Sequence, residues 1–382
     1  MHRVKTISKL STKADNTSKE YLIRYFDGKT KGSSGKYNVL TLWLNYNSMH
    51  IIDVVKLSLM SLKYASKEAD INLKLIVIDN NSQDGSYEVL SKFIRRKLNV
   101  DTIIIQTKRN WGFAGGVNLG YAIAEDEYDY LVLLNNDAVI YRRALAKIIQ
   151  SINDNDFAGA QGIILRPNGE IDSWGLLIDE LLLSHPIKTL VYNRIIHPTY
   201  LSGAFSIYSM DAIRKCIGTK RLFHEFVPAY FDDNILGLRL WNCGLTLAAL
   251  PIRAALHLHG ATFSKYSAYH VYNSILSYAV MVHVINTRFS KILWLVLLKL
   301  ISRFMTKLKN KNKDTIEAIV KALREGIYYG VSLRKNGFTI NLYKAPHIQI
   351  DGKYILKLLI NTKIGIDMKY IMKALRSNIT YI

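Results

Sequence analysis

The chain has 382 residues, 49% apolar and 21% charged, a composition that allows a sizeable core and excludes a wholly disordered, collagenous or disulfide-scaffold protein. The formal net charge of +21 sits at the ends: +6 over residues 1–36, +15 over 264–382, and none over 37–263. Cys216 and Cys243 are too few for a secreted disulfide framework or a four-thiolate zinc site, so a reducing compartment is expected.

Residues 1–36 are polar and basic, lack an apolar run in the first twenty positions, and close on Gly32-Ser-Ser-Gly35. A flexible or loosely docked arm is expected, with no secretory signal or N-terminal anchor. Apolar runs then predict strands at Val39–Leu44, Leu73–Ile78, Thr102–Gln106 and Tyr130–Leu134. Helical spacing predicts helices over 51–66, over 86–98 and from Gly115 to Ala124. Strand, polar loop and helix thus repeat, which is the pattern of a doubly wound α/β sheet. Ligands bind such sheets at the carboxyl ends of the strands, so Asn47, Asp79, Asn81 and Asp137 are expected to line one crevice.

Further along, strands are expected at Tyr200–Tyr208 and Thr246–Leu250, with a helix near 231–243. Residues 289–305 are too short and too charged to span a bilayer. They read either as a helix in the head-group plane, with Trp294 at the boundary, or as a core helix with basic ends. Residues 314–335 predict an amphipathic helix whose apolar stripe is Ile316, Ile319, Val320, Leu323, Ile327 and Val331. The segment 338–382 alternates short apolar and basic pieces and gives no clear element.

Four loops carry the chemistry. Gly112-Phe-Ala-Gly115-Gly116-Val-Asn118 lacks the GxGxxG spacing of a dinucleotide fingerprint, and Gly28-Lys29-Thr30 lacks the upstream glycine of a P-loop. The glycines of the first loop either bring backbone close to a ligand or allow tight helix packing. Asn135-Asn136-Asp137 follows an apolar strand, where a carboxylate needs solvent or a cation. Asp232-Asp233, ahead of Gly237-Leu238-Arg239, is either a poised general base or an acidic helix N-terminus. His257 and His259 alternate on a strand, so one of them at most faces a given metal.

In this order, Asn-Tyr-Asn47-Ser, Val-Ile-Asp79-Asn-Asn81-Ser-Gln-Asp84-Gly, Arg109-Asn110-Trp-Gly112-Phe-Ala-Gly115-Gly116-Val-Asn118 and Leu-Leu-Asn135-Asn136-Asp137 resemble the nucleotide-binding half of family 2 glycosyltransferases over roughly 38–265. The resemblance implies a GT-A fold: a Rossmann-like mixed sheet flanked by helices over 37–263, followed here by a basic, mainly helical extension over 264–382. It implies an inverting enzyme, with galactofuranosyltransferase or rhamnosyltransferase-like members in view. Asp233 would be the base and Asp232 its helper. Asn47, Asp79, Asn81, Gly112, Gly115, Gly116, Asn118 and Asn136 would hold the sugar nucleotide. Asp137 and His257 would hold Mn²⁺ or Mg²⁺, with His259 as the fallback ligand. Asn135 stands where the family's Asp-x-Asp begins with an acid, Ile235 where many members have a second acid, and Tyr272 where they have arginine.

The expected donor is a nucleoside-diphosphate sugar, UDP or dTDP ahead of GDP, and the expected acceptor a glycan or a lipid-linked glycan. Localisation would be cytoplasmic, peripheral on the inner face of the membrane. The basic tail suits an anionic membrane surface, or else homo-oligomer contacts. Nucleic acid is disfavoured, since no zinc-finger spacing or RNP-type strand is present. A non-catalytic sugar-nucleotide-binding protein, or a basic membrane- or nucleic-acid-binding one, is the alternative. A sugar-1-phosphate nucleotidyltransferase is disfavoured, because Asn45-Tyr-Asn-Ser carries no Gly, Lys or Arg.

Overall fold

The computed structural model describes residues 20–26, 35–124, 127–190, 194–218, 221–224, 231–258, 268–307, 313–360, 366 and 368–381. In chain order the first elements are β1 (Tyr21–Phe26), β2 (Tyr37–Asn45), α1 (Ile52–Glu68), β3 (Ile71–Asp79), α2 (Ser86–Phe93), β4 (Asp101–Thr107), α3 (Gly112–Ile123), β5 (Tyr130–Asn135), β6 (Ala138–Ile140), α4 (Ala144–Asn155) and β7 (Gly159–Leu165). Then come β8 (Ile171–Ser173), β9 (Leu176–Asp179), β10 (Ser184–Pro186), β11 (Arg194–Ile196), β12 (Phe205–Ser209), α5 (Met210–Ile217), α6 (Asp232–Asn242) and β13 (Leu247–His257). The remainder is α7 (Ala268–Val284), β14 (Ile285–Asn286), α8 (Ser290–Lys307), α9 (Lys313–Lys335), β15 (Ile340–Asn341), β16 (His347–Ile348), α10 (Gly352–Ile360), α11 (Met368–Arg376) and β17 (Ile379–Tyr381).

The chain forms two compact units, interleaved in sequence. The first comprises Met1–Glu170, Gly203–Leu222 and Ile252–Thr262. The second comprises Ile171–Ser202, Phe223–Pro251 and Phe263–Ile382. The division therefore differs from a single cut near 263. Charge composition marks that boundary, but pairing and packing gather segments distant in the chain.

In the first unit the strand order is β1-β4-β3-β2-β5-β12-β7, continuing to β13, whose end pairs with β6. β2 runs parallel to β3 and β5, and β3 parallel to β4. The four strands expected from the sequence thus form the central parallel part, and the chain reverses direction across the sheet between β2 and β5. That is the switch point where a doubly wound sheet opens a crevice. Leu40, Leu42, Trp43, Leu75, Ile76, Ile78 and Leu131 are buried to 2% exposure or less, as strands covered on both faces require. Trp43 also donates its indole N–H to Ser58 Oγ of α1 at 3.2 Å. Part of the expected arm departs from expectation: Tyr21–Phe26 is an edge strand antiparallel to β4, with Tyr21 opposite Thr107. The expected strand over 200–208 is shorter, β12 beginning only at Phe205.

In the second unit β9 lies between β10 and β16, β14 pairs with β15, and β11 pairs with β17. Glu180, 1% exposed, gathers the C-terminal segments: it accepts from the Arg288 guanidinium at 2.7 Å and the Ile350 amide at 2.9 Å. Helix α9 exists, but its buried seam is not the expected stripe. Ile316, Val320 and Ile327 are exposed, whereas Thr315, Ile319, Ala322, Gly326, Gly330 and Leu333 are buried. Small residues decide the seam. A Cβ on Gly326 would lie 2.7 Å from the Leu276 carbonyl oxygen of α7, and one on Gly330 2.8 Å from His283 Cβ. Helix α8 buries Leu293, Val296 and Leu297 and exposes Trp294, Leu295 and Leu298. It is thus a packed helix with an apolar outer face, and among the described residues no helix is long and apolar enough to cross a membrane.

Neither cysteine is a free thiol; both are disulfide-bonded. Sulfur pairing depends on distance in the fold, which a cysteine count does not supply.

Replacing Gly326 with Val forces a branched side chain against the α7 backbone. The helix-propensity gain over glycine, well under about 1 kcal/mol, is smaller than the overpacking cost of about 1–3 kcal/mol. A thermal melt is expected to show a lower Tm, and an unchanged or higher Tm would contradict the close crossing.

Candidate active site

The carboxyl ends of β2, β3 and β5 are joined by buried polar side chains. Asn45 is fully buried at the tip of β2. Its amide nitrogen lies 2.8 Å from Asp79 Oδ1, 3.1 Å from Ser82 Oγ and 3.2 Å from Ser86 Oγ. Its oxygen accepts from Ser48 Oγ and, at 3.4 Å, from Asn136 Nδ2. Asp79 is 1% exposed, and its other oxygen accepts from the Ser82 amide at 3.1 Å. Burial raises its pKa above the usual carboxylate range, against the opposing effect of the Asn45 and Ser82 hydrogen bonds. A nucleobase contact by Asp79 follows from the resemblance, but here both oxygens hold the loop, so the side chain acts as a brace.

Asn47 and Asn81 both have left-handed backbone, φ 45° and 65°, which asparagine tolerates better than most residues. Asn47 Oδ1 accepts from the Gln83 amide at 2.8 Å, and its own amide donates to Ser82 Oγ at 3.0 Å. Asn81 Oδ1 accepts from Gln83 Nε2 at 2.8 Å. Asp84 completes the loop by accepting from the Met49 amide at 2.7 Å and from Ser86. Burial alone would raise its pKa, but these hydrogen bonds hold it below the usual carboxylate range.

The glycine segment divides. Gly112 opens α3 at φ 71°, and its amide donates to Asn110 Oδ1 at 2.8 Å. Asn80, 1% exposed, pins this turn through Asn110, the Gly112 carbonyl and the Trp111 amide. Gly115, Gly116 and Gly120 lie inside α3. A Cβ at Gly116 would be 2.4 Å from Leu44 Cδ1, and one at Gly120 2.9 Å from Ile78 Cδ1. For Gly116 and Gly120 tight packing of helix on sheet explains the residue, rather than approach to a ligand. Asn118 Oδ1 accepts from the Leu222 amide at 2.9 Å, a structural use. Asn45, Asn80 and Asn110 are absent from the sequence-derived set. For Asn45 and Asn80 the signal was asparagine at the end of, or immediately after, an apolar strand, and for Asn110 the polar loop beyond one, but nothing in spacing distinguished them from turn residues.

Asp137 and His257 do meet. β6 pairs with β13 so that His257 stands opposite Ala138, and the Leu258 amide donates to the Asp137 carbonyl at 3.1 Å. His257 Nε2 lies 3.2 Å from Asp137 Oδ1, with both residues under 10% exposed. Asn136, 7% exposed, ties this pair to Asn45. Among the described residues no group of three metal-ligating side chains is present, and His259 lies outside them. One imidazole nitrogen and one carboxylate fit a divalent cation that takes its other ligands from water and phosphate oxygens.

The acid pair of the second unit sits in the first turn of α6. Asp232 is 6% exposed, and its Oδ2 is buried without a hydrogen-bond partner. Burial, and then the charge of Asp233, push its pKa up to about 8. Asp233 is half-buried and accepts from the Asn234 amide at 2.9 Å. Tyr200 belongs to the same cluster: burial and then Asp233 raise its pKa well above the usual phenol value. Gly237 lets α6 approach, since a Cβ there would meet Tyr200 Cβ at 2.4 Å. Arg239 stacks over Phe338 at 5.7 Å.

Residues 45–217 match the model of glycosyl transferase family 2, a little under half of the chain. No curated protein matches in sequence. Among solved structures, GalNAc-T7 with UDP, GalNAc and Mn²⁺ superposes at a TM-score of 0.51 and 10% identity, over 79% of this chain and 58% of that one. S. aureus TarS in complex with UDP-GlcNAc gives 0.48 and 16% identity, over 79% and 84%. The mannosyltransferase PcManGT from Pyrobaculum calidifontis, in complex with GDP-Man and Mn²⁺, gives 0.47 and 14%, over 81% and 83%. At these identities the GalNAc-T7 likeness concerns the fold alone, which is GT-A. The segment 45–217 thus resembles the glycosyl transferase family 2 region over a little under half of the chain.

Because Asp232 is protonated more readily in the folded than in the unfolded chain, the folded state holds the extra proton between about pH 4 and pH 8. Its contribution is full below the unfolded pKa and is lost as pH rises towards 8. Asp232→Asn, which mimics the protonated form, is expected to raise Tm relative to the parent at pH 8.5 and to change it little at pH 4. Thermal melts showing the same difference at both values would contradict the raised pKa.

Proposed function

We propose that this protein transfers a sugar from a nucleoside-diphosphate sugar, UDP or dTDP ahead of GDP, to a hydroxyl of a glycan or lipid-linked acceptor, with inversion. The observation that carries the reading is the Asp137–His257 pair at 3.2 Å, just beyond β5 and tied through Asn136 to Asn45. A divalent cation bound by these two residues, Mn²⁺ suiting the mixed nitrogen and oxygen donors, would offset charge on the leaving diphosphate. The Asn47 and Asn81 turns and the Gly112 turn would border the nucleoside, with Asn45, Asn80 and Asp79 holding them rigid.

Asp233 is the proposed base. Burial and then the charge of Asp233 push the Asp232 pKa up to about 8, so Asp232 holds its own proton at neutral pH. Two adjacent buried charges would otherwise repel. The Asp233 carboxylate takes the proton of the acceptor hydroxyl as that oxygen bonds to the anomeric carbon. The bond from that carbon to the diphosphate oxygen breaks on the opposite face, and the nucleoside diphosphate leaves. Asp232 acts on the base rather than on the sugar.

Asp137→Ala is expected to weaken UDP binding in Mn²⁺ by about tenfold or more. Calorimetry giving equal affinity for parent and variant, with and without chelator, would remove the metal role. Asp233→Asn is expected to lower kcat by about 10²-fold or more while UDP affinity stays near that of the parent. Turnover close to the parent value would mean that another group takes the proton.

A further inference from the structure

Within the segment 338–382, which has no legible element in the sequence, residues 343–349 and 369–378 line most of a second cleft inside the C-terminal unit. The cleft has a volume of about 1130 Å³ and lies between Trp241 of α6, the turn from Tyr343 to His347, and α11. Its lining among the described residues includes Lys344, Lys369, Lys373 and Arg376 and no acidic residue. Trp241 stands nine residues beyond Asp232 on the same helix, about 14 Å along the axis. The cleft is therefore separate from the acid pair.

Three of the cations share one face of α11. Lys369, Lys373 and Arg376 recur at i, i+4 and i+7, while Ile371, Ala374 and Leu375 turn into the core. Like charges at that spacing weaken a helix. The dipole favours Lys373 and Arg376 in the last turn but opposes Lys369 in the first. Among the described residues no carboxylate within salt-bridge distance of Lys344, Lys373 or Arg376 offsets the repulsion. Asp351, which interacts with Lys369, accepts from the Tyr354 amide and the Tyr370 hydroxyl, both at 2.8 Å. His347 adds an acceptor in reserve for a saccharide hydroxyl. Its Nδ1–H donates to the Ala345 carbonyl at 2.9 Å, and its Nε2 is buried with no partner among the described residues. Aromatic walls complete the cleft. The Trp241 indole N–H donates to the Pro198 carbonyl at 3.1 Å, which fixes the ring. Tyr343 and Tyr370 are also held through their hydroxyls, to Glu180 and Asp351.

Unpaired cations call for an anion, and fixed aromatic rings offer apolar faces for the C–H side of a sugar. A volume above the usual range for a small-molecule pocket leaves room beyond a single phosphate. We propose that this cleft binds a phosphorylated saccharide. The proposal does not rest on the reading of the donor site.

The test uses the full chain with glucose 1-phosphate, glucose and phosphatidylglycerol vesicles as probes. Calorimetry and vesicle co-sedimentation are run on the parent, on Lys373→Ala/Arg376→Ala, whose side chains are exposed, and on Asp137→Ala. The expected result is that the parent binds glucose 1-phosphate and binds glucose about tenfold or more weakly. The double variant then loses about tenfold or more in affinity for glucose 1-phosphate, the range set by charge-assisted hydrogen bonds, and keeps its affinity for UDP. Asp137→Ala retains glucose 1-phosphate binding. No binding by the parent, equal binding by the double variant, or loss in Asp137→Ala instead would each overturn the proposal. Binding confined to vesicles would overturn it in favour of a lipid head group.

Discussion

The first unit depends on one buried amide. Asn45, without solvent exposure, spends its nitrogen on the tip of β3 and its oxygen on Ser48 and on Asn136 beyond β5. A buried amide must satisfy both ends or forfeit its desolvation cost. Its satisfaction therefore requires three strand tips to hold one arrangement. The loops after β2 and β3 and the Asn136-Asp137 turn are positioned together, although they are far apart in the chain. Asp137 in turn stands beside His257 because β6 pairs with β13 in one register. A shift of one residue would turn the imidazole to the other face.

The acid pair follows a different physical rule. Around Asn45, buried polar groups satisfy one another by hydrogen bonds. In α6, Asp232 keeps a buried oxygen without a partner and accepts protonation instead. Such an arrangement costs stability and is the kind of strain that functional sites retain.

Much of the central sheet was legible because its strands are apolar on both faces and short, with polar residues directly after them. β2, β3, β4 and β5 fall where the apolar runs lie. The glycine segment was only half legible. Gly112 needs its left-handed backbone, whereas Gly116 and Gly120 are small because Leu44 and Ile78 press on them. Residue type alone does not distinguish those two demands. The stripe of α9 misled for a similar reason. Large apolar residues at helical spacing suggested the buried face, yet the face against α7 is made of Thr315, Ala322, Gly326 and Gly330, because close crossing favours small side chains. Ile316, Val320 and Ile327 are left outside.

By itself the sequence determined the fold class, the succession of loops and the family resemblance, since periodicity and motif order are local properties. It also named Asp137, His257, Asp232 and Asp233. The tertiary structure decided which of these residues meet, that Asp79 braces a loop, and that burial pushes Asp232 towards neutrality. It alone gathered Lys344, Lys369, Lys373 and Arg376 around one cleft. Distances, burial and pKa arise from neighbours that folding brings close, and no spacing along the chain encodes them.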